Sequence, residues 1–140
     1  MVLLVDANAL FFHADAASPH HAAVVSLFDA ETGSLVTSQA VAAEADYLIE
    51  RRLDTNAELA FLADLADGAL VAECLSAGEL RTAWEVAHRY RDLALGLADA
   101  SLVVLAARYR TRRVATFDER CFRTVAPLQG GSFTVLPADG

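Results

Sequence analysis

The sequence predicts an α/β fold: a mostly parallel β-sheet with helices on both of its faces. Short apolar runs without polar alternation, typical of strands buried on both sides, recur along the chain. Between them lie longer segments with helical spacing of apolar residues, several of which begin with a capping signal. This alternation indicates parallel strands joined by helical crossovers. At 140 residues and 55% hydrophobic, the chain is expected to form a single domain over residues 1–140.

Five strands are predicted, and each is a short, largely apolar run. The first is continuously apolar and ends at Asp6. The last follows a Gly-Gly pair, and the tail after it, Pro137–Gly140, is expected to fray. The predicted strands are Met1–Val5, Ser34–Thr37, Ala69–Glu73, Arg113–Phe117 and Ser132–Leu136.

Capping signals mark the start of several predicted helices. Ser18 is a suitable N-cap before a proline, and Thr55–Glu58 and Ser76–Glu79 have the capping-box pattern. The third helix is expected to place Val41, Tyr47, Leu48 and Ile49 in the core. The predicted helices are Asn8–His13, Ser18 to about Gly33, Ser38 to about Arg52, Thr55 to about Asp67, Ser76 to about Tyr90 and roughly Ala98–Tyr109.

The charge composition restricts the possible chemistry. The net charge is −8, and every one of the 11 residues counted as lysine or arginine is arginine. Reactions that need an ammonium side chain are therefore excluded. An arginine-rich segment indicates either a local anionic partner or an ordinary solvated face. Its arginines are Arg108, Arg110, Arg112, Arg113, Arg120 and Arg123.

Neither a membrane span nor a disulfide framework is predicted. No apolar stretch reaches the ~18–20 residues that cross a bilayer, and the start lacks the basic region of a signal peptide. A cytoplasmic location is therefore expected. Cys74 and Cys121 lie far apart in sequence and are expected to be reduced and structural.

Four acidic residues stand in or beside apolar runs that predict core structure. They are Asp6, Glu44, Asp99 and Asp118. Carboxylates are rarely placed against core-forming sequence unless something compensates their charge. Because the chain has no lysine, the compensation is expected to be a divalent cation. Taken singly, each acid also has an ordinary interpretation, such as a helix N-cap, a partner of a helix dipole or a turn former.

The predicted elements allow these acids to converge. Asp6 and Asp118 each follow a predicted strand, and ligands bind beyond the C-terminal ends of parallel strands. Asp99 falls in the first turn of its helix, and Glu44 about two turns into another. Two unit charges ~4 Å apart repel by roughly 4 kcal/mol at an effective dielectric near 20. Magnesium removes this repulsion, prefers oxygen ligands and keeps waters, one of which can be activated to attack phosphorus.

At this point the chain resembles the PIN-domain ribonucleases, and most closely the VapC-type toxins of bacterial toxin–antitoxin pairs. The resemblance covers essentially the whole chain. Phe117 departs from it, standing where a smaller aliphatic residue is common, and Glu119 adds a negative charge beside the acids. The segments that carry the resemblance are Leu3–Leu10, Thr37–Leu48, Leu97–Leu102 and Val114–Phe122.

The resemblance implies a three-layer α/β/α sandwich with Mg²⁺ or Mn²⁺ held by acids. The residues that match the family's acids are Asp6, Glu44, Asp99 and Asp118. It also implies endonucleolytic cleavage of RNA and a cognate VapB-like antitoxin that inserts a segment into the active site. The apolar content of the helices leaves room for a homodimer interface.

Several further residues are candidates for supporting roles. Asn8 and Ser38 match positions that often carry a polar residue beside the acids, although Ser38 is equally suited to be a helix N-cap. Arg120 and Arg123 are the arginines best placed to bind RNA phosphates. They are expected to form a basic track toward the metal. Asp92 is a candidate for the second layer around the site.

Two other classes of protein remain open on sequence grounds. One is a non-catalytic scaffold of the same fold that binds RNA or protein. The other is an aspartate-based phosphotransfer domain, because such domains also carry an aspartate after their first strand. The phosphatase version requires a second aspartate where Asn8 stands, and both versions generally use a lysine, which this chain lacks.

Overall fold

The computed structural model describes the whole chain, Met1–Gly140, and contains five strands and seven α-helices. The strands are β1 (Leu3–Val5), β2 (Leu35–Ser38), β3 (Val71–Glu73), β4 (Arg113–Ala115) and β5 (Thr134–Leu136). The helices are α1 (Ala7–Ala14), α2 (His21–Ala30), α3 (Gln39–Arg52), α4 (Thr55–Asp67), α5 (Ala77–Arg89), α6 (Leu97–Tyr109) and α7 (Glu119–Thr124). A short 3-10 turn, Arg91–Leu93, separates α5 from α6.

All the strands are parallel and lie in the order β3-β2-β1-β4-β5, which confirms the α/β fold expected from the sequence. Leu4 at the centre of β1 pairs with Val36 of β2 on one side and with Val114 of β4 on the other. The chain moves outward from β1 to β2 and β3, then returns to the far side of β1. This reversal leaves a crevice at the C-terminal ends of β1 and β4, where open α/β sheets bind ligands.

Helix α6 anchors one wall of this crevice. It contacts β1 and β2 and also packs on α3 and α5. Seven consecutive residues, Ala100–Ala106, are therefore buried, as expected of a helix surrounded on most sides. Because α6 is held by so much of its surface, the first turn of the helix, which carries Asp99, has a fixed position.

Two predicted helix starts differ from the structure. The Ser18 hydroxyl accepts a hydrogen bond from the His20 backbone (3.1 Å) within a turn, and α2 begins only at His21 without a side-chain cap. The N-cap of α4 is Asp54 rather than Thr55, because the Asp54 carboxylate accepts a 2.7 Å hydrogen bond from the backbone of Ala57. The capping box at Ser76 is confirmed.

Two other expectations were wrong, and one helix was missed. Tyr47 is 59% exposed rather than buried, so α3 turns only Val41, Ala42, Ala45 and Ile49 fully into the core. Helix α7 was not predicted. The tail does not fray, because the Asp139 carboxylate accepts a hydrogen bond from Val135 (2.8 Å) and pairs with Arg123 (2.6 Å). None of the helices combines the length and the apolar character needed to cross a bilayer.

Candidate active site

Asp6 lies at the point where the order of the strands reverses. It directly follows β1, and its backbone N–H donates to the Ala115 carbonyl (2.9 Å), which extends the β1–β4 pairing by one rung. Its side chain is only 5% exposed. One carboxylate oxygen accepts from the backbone of Ala7 (2.8 Å) and so caps α1, and the other accepts from the Thr116 hydroxyl (2.8 Å). The carboxylate is therefore fixed in the crevice at both oxygens.

Thr116 ties the two sides of the crevice together. While its hydroxyl donates to Asp6, the same oxygen accepts from the Asn8 side chain (3.3 Å) and from the backbone of Asp118 (3.0 Å), which a hydroxyl with two lone pairs allows. The Asn8 carbonyl oxygen accepts from the backbone of Phe117 (3.0 Å). The loop after β4 is thus bound to the start of α1, and this places Asp118 beside Asp6.

Asp99 and Asp118 form the tightest group of possible metal ligands. Asp118 is the N-cap of α7, where one carboxylate oxygen accepts from the backbone of Cys121 (3.2 Å). Asp99 is in the first turn of α6 and is partly buried. Carboxylate oxygens of these two acids and the sulfur of Cys121 all lie within 4.8 Å of one another.

The other two acids act on this group through their charge. Burial, followed by the negative charges of Asp6, Asp118 and Glu44, raises the pKa of Asp99 to about 6. Burial also raises the pKa of Asp6, against the opposing effect of its hydrogen bond from Thr116. Glu44 is exposed on α3 and makes no hydrogen bond to the protein. All four acids therefore influence one another at one edge of the sheet.

The Cys121 thiol is an unpredicted part of this group. It is 4% exposed, and burial together with the charges of Asp99, Asp118 and Asp6 raises its pKa to about 12. A thiol that holds its proton at neutral pH is a poor metal ligand, since thiolate is the form that binds metals. The effective donors here are carboxylate oxygens, which fit a hard divalent cation rather than zinc or copper.

Asn8 makes contacts other than those expected, and Ser38 is the helix N-cap that the sequence also allowed. Asn8 positions the Phe117 loop through Thr116 and the backbone, and its amide does not contact a carboxylate. The Ser38 hydroxyl caps α3 by accepting from Val41 (3.0 Å) and shares a 2.6 Å hydrogen bond with the hydroxyl of Ser101. Ser38 is thus a helix cap that links α3 to α6.

The expected basic track is not formed. Arg123 makes two hydrogen bonds to Asp139 (2.6 and 2.8 Å) and one to Glu119 (3.1 Å), so its charge is already compensated. Glu119 is therefore an ion-pair partner as well as a neighbour of the site. Arg120 has no acidic partner and lies close enough to act on the pKa of Cys121. It is the only arginine of the pair left free to meet a phosphate.

Three of the remaining arginines of this segment are bound within the chain, and Arg110 lies at the C-terminal end of α6, whereas Asp99 lies in the first turn of that helix. Arg108 is bound by Glu73 (2.8 Å) and Glu79 (2.6 Å). Arg112 donates to backbone carbonyls, and Arg113 pairs with Glu31 (2.6 Å). The last two stand at the start of β4, at the edge of the sheet opposite to Asp118. Asp92 lies exposed in the 3-10 turn and is not among the charges that act on Asp6 and Asp99.

Sequence reasoning missed Thr116 and Cys121. Thr116 was placed inside a predicted strand, although a polar residue at the end of an apolar run, two residues before an acid, is a usable signal. Its role depends on β1 and β4 being neighbours, which the residue order alone does not fix. Cys121 was interpreted as a structural thiol because α7 was not predicted.

Comparison with known proteins agrees with this architecture. The family model described as PIN domain matches residues 3–127. The ribonuclease VapC26 of Mycobacterium tuberculosis (strain ATCC 25618 / H37Rv) is 44% identical over 135 residues, covering 96% of this chain and 100% of that protein. The fold and the sequence thus define the class of this protein, a PIN-domain nuclease. The chain belongs to the PIN-domain family and, within it, to the VapC ribonucleases.

Solved structures show the same fold at low sequence identity. VapC20 of Mycobacterium tuberculosis, described as a sarcin–ricin loop cleaving toxin, has a TM-score of 0.78 at 21% identity, covering 85% of this chain and 92% of its own. VapBC2 of Rickettsia felis, solved with a DNA fragment from its promoter, has a TM-score of 0.69 at 14% identity, covering 96% of this chain and 98% of its own. FitAcB of Neisseria gonorrhoeae has a TM-score of 0.65 at 15% identity, covering 96% of this chain and 97% of its own.

Proposed function

We propose that this protein is a metal-dependent endoribonuclease, the toxin of a toxin–antitoxin pair, that cleaves RNA at the cluster of Asp6, Glu44, Asp99 and Asp118. The observation that carries the proposal is the convergence of these acids at the crevice between β1 and β4. Burial, followed by repulsion from the other three acids, raises the pKa of Asp99 to about 6. A site built with uncompensated carboxylates calls for a cation, and oxygen donors favour Mg²⁺ or Mn²⁺.

Each acid has a distinct part in this proposal. Asp99 and Asp118, whose oxygens lie within 4.8 Å of each other, would hold the ion, with Asp6 held beside them by Thr116. Glu44 is exposed and has no protein partner, so its carboxylate is free to accept a hydrogen bond from the attacking water. When bound, the cation supplies positive charge to the phosphate oxygens and makes water more acidic.

The two competing functions are weaker for physical reasons. A phosphotransfer domain needs a nucleophilic carboxylate with a free oxygen, whereas both oxygens of Asp6 accept hydrogen bonds from the protein. The chain also has no lysine to stabilise a phosphoryl group. A non-catalytic scaffold has no need for a cluster of acids whose repulsion costs stability.

Cleavage assays on matched variants test this function. The sarcin–ricin loop RNA, named in the description of VapC20, is the first RNA to try, together with unstructured RNA. We expect cleavage only with a divalent cation, and a loss of roughly 10²–10³-fold in Asp6→Asn and Asp99→Asn, typical of removing a charge-stabilising group. Asp92→Asn, an equal change at an exposed acid outside the cluster, should retain full activity. Equal cleavage by the wild type and Asp6→Asn would contradict the proposal.

A cognate antitoxin is the expected protein partner. The similarity to VapBC2 supports it, because that relative is a VapB–VapC pair solved on promoter DNA. An apolar groove of about 440 Å³ offers a place for an amphipathic segment of such a partner. Its lining includes Leu10, Phe28, Leu35, Phe61 and Leu70. The homodimer and the cytoplasmic location expected from the sequence stay predictions.

A further inference from the structure

Three aromatic rings form a cluster beside the acidic site. The ring centroids of Phe12 and Phe117 are 5.1 Å apart and nearly perpendicular, at 87°. The His20 ring lies 4.6 Å from that of Phe117 and 4.8 Å from that of Phe12. Each ring therefore contacts the other two. Phe12 and Phe117 are partly exposed, and His20 is exposed.

This aromatic cluster is continuous with the site. Phe117 directly precedes Asp118, so their Cα atoms are about 4 Å apart, and its backbone is held by Asn8 (3.0 Å). Phe12 is one helical turn after Asn8 and therefore lies on the same face of α1. The hydrogen bonds that place Asp118 thus also place the rings.

The cluster is not explained by core packing alone. Phe117 and Phe11 pack partly against the hydrophobic core, whereas Phe12 is not part of that packing and contacts Phe11, His20 and Phe117 nearer the surface. A hydrophobic ring left partly in water beside a site of negative charge adds little stability. Flat faces that carry no charge are, however, suited to bind a nucleobase, since every base has a π-face that stacks on aromatic side chains.

The negative charge of the protein increases the contribution that base stacking has to make to RNA binding. Non-specific affinity for nucleic acid comes mostly from neutralising phosphates. The net charge here is −8, and Arg123, one of the two arginines nearest the site, is already paired with Asp139 and Glu119. Attraction to phosphates is therefore weak, and stacking has to supply more of the binding.

We infer that Phe12, His20 and Phe117 bind an unpaired base of the RNA next to the phosphodiester bond that is cut. This inference rests on the proposed ribonuclease function. Because the rings adjoin Asp118, a base stacked on them sets which nucleotide neighbours the cleaved bond. The cluster then favours loops and single strands over duplex RNA, whose bases are already stacked.

Fluorescence binding with 2-aminopurine tests the inference. A short single-stranded RNA carries one 2-aminopurine, and all proteins contain Asp6→Asn with Mg²⁺ present, so that the RNA is not cut. Stacking quenches 2-aminopurine, which a purely structural role of the rings does not reproduce. We expect quenching and tight binding with the parent protein. Phe117→Leu and His20→Ala should each raise Kd by roughly 5- to 100-fold, the range for losing one base stack, and remove the quenching.

Matched variants make the result decisive. Trp84→Leu removes an exposed ring on α5 that contacts His88 rather than the cluster, and it should leave Kd and quenching unchanged. Phe117→Trp keeps a stacking face and should retain both. If Phe117→Leu does not fold, His20→Ala provides an independent measurement, because the His20 side chain is exposed. Unchanged Kd and quenching in both Phe117→Leu and His20→Ala would overturn the stacking inference while leaving the ribonuclease function intact. Cleavage of the RNA by the Asp6→Asn parent at the wild-type rate would instead refute the proposed catalytic cluster.

Discussion

Thr116 donates a 2.8 Å hydrogen bond to Asp6 across the junction of β1 and β4, although 110 positions separate them in the chain. The same hydroxyl accepts from the backbone of Asp118. A single side chain therefore sets the relative placement of two acids that come from opposite sides of the crevice. Outer-shell partners of this kind orient metal ligands and tune their affinity.

The first prediction concerns Thr116→Val, which removes the hydroxyl and keeps the shape. Mn²⁺ affinity, measured by calorimetry, should fall by roughly 10- to 100-fold, the range found for outer-shell partners of metal ligands. Stability should fall by roughly 1–3 kcal/mol, because the hydroxyl makes three hydrogen bonds and one of them is to a buried carboxylate.

Thr37→Val is the matched control for this change. The Thr37 hydroxyl is buried and donates to the Val5 carbonyl (2.8 Å) without touching an acid. Its removal should lower stability by about 1 kcal/mol, for one hydrogen bond to a neutral group, and leave Mn²⁺ affinity unchanged. Equal Mn²⁺ affinities in both threonine variants and the wild type would show that Thr116 does not influence metal binding.

The second prediction concerns the pH dependence of the metal-free protein. The pKa of Asp99 rises from 3.8 to about 6 on folding, so between these values the folded state binds the proton more tightly than the unfolded state. The contribution of Asp99 to the free energy of unfolding therefore falls as pH increases through this window. Saturating Mg²⁺ should cancel the loss.

Melting temperatures measured in EDTA from pH 4 to 7.5 show whether the stability contribution of Asp99 falls as pH increases. The difference between wild type and Asp99→Asn isolates the contribution of Asp99 from that of the other carboxylates. We expect the variant to gain stability relative to the wild type as pH increases. A difference that stays constant across the range would mean that Asp99 does not titrate abnormally.

The third prediction concerns Cys121, whose sulfur lies within 4.8 Å of carboxylate oxygens of Asp99 and Asp118. Burial and the nearby acids raise the pKa of the thiol to about 12, and Mg²⁺ prefers oxygen ligands, so we expect that the sulfur is not a ligand at neutral pH. Cys121→Ser should therefore keep Mg²⁺-dependent cleavage within about threefold, or ~0.6 kcal/mol in the barrier. A loss comparable to that of Asp99→Asn would instead make the sulfur a ligand.

The fourth prediction separates the two arginines of α7. Arg120 has no acidic partner. Arg120→Ala should therefore weaken RNA binding and reduce the slope of log K against log salt concentration by about 1, because one phosphate contact is lost. Arg123 is held by Asp139 and Glu119. Arg123→Ala should leave that slope unchanged and loosen the C-terminal tail, which limited proteolysis detects. The opposite pattern would show that Arg123 leaves its ion pairs to bind RNA.

The sequence allowed Asp6, Asp99 and Asp118 to be grouped because strand ends and helix starts meet at one edge of a parallel sheet. The partner of Arg123 could not be predicted, because Asp139 lies in a tail whose composition is typical of disorder. Tyr47 was assigned to the core from apolar character alone, yet α3 has a narrow buried face. Thr116 depends on a contact between strands that are distant in the chain, which local patterns do not contain.

Anomalous X-ray scattering from crystals grown with Mn²⁺ tests the central claim most directly. The account predicts a peak in the crevice between β1 and β4, with carboxylate oxygens of Asp99 and Asp118 as its nearest protein atoms and Asp6 and Glu44 around it. A protein that cleaves RNA with Mn²⁺ but binds the ion elsewhere, or leaves any of these acids facing away from it, would contradict the account.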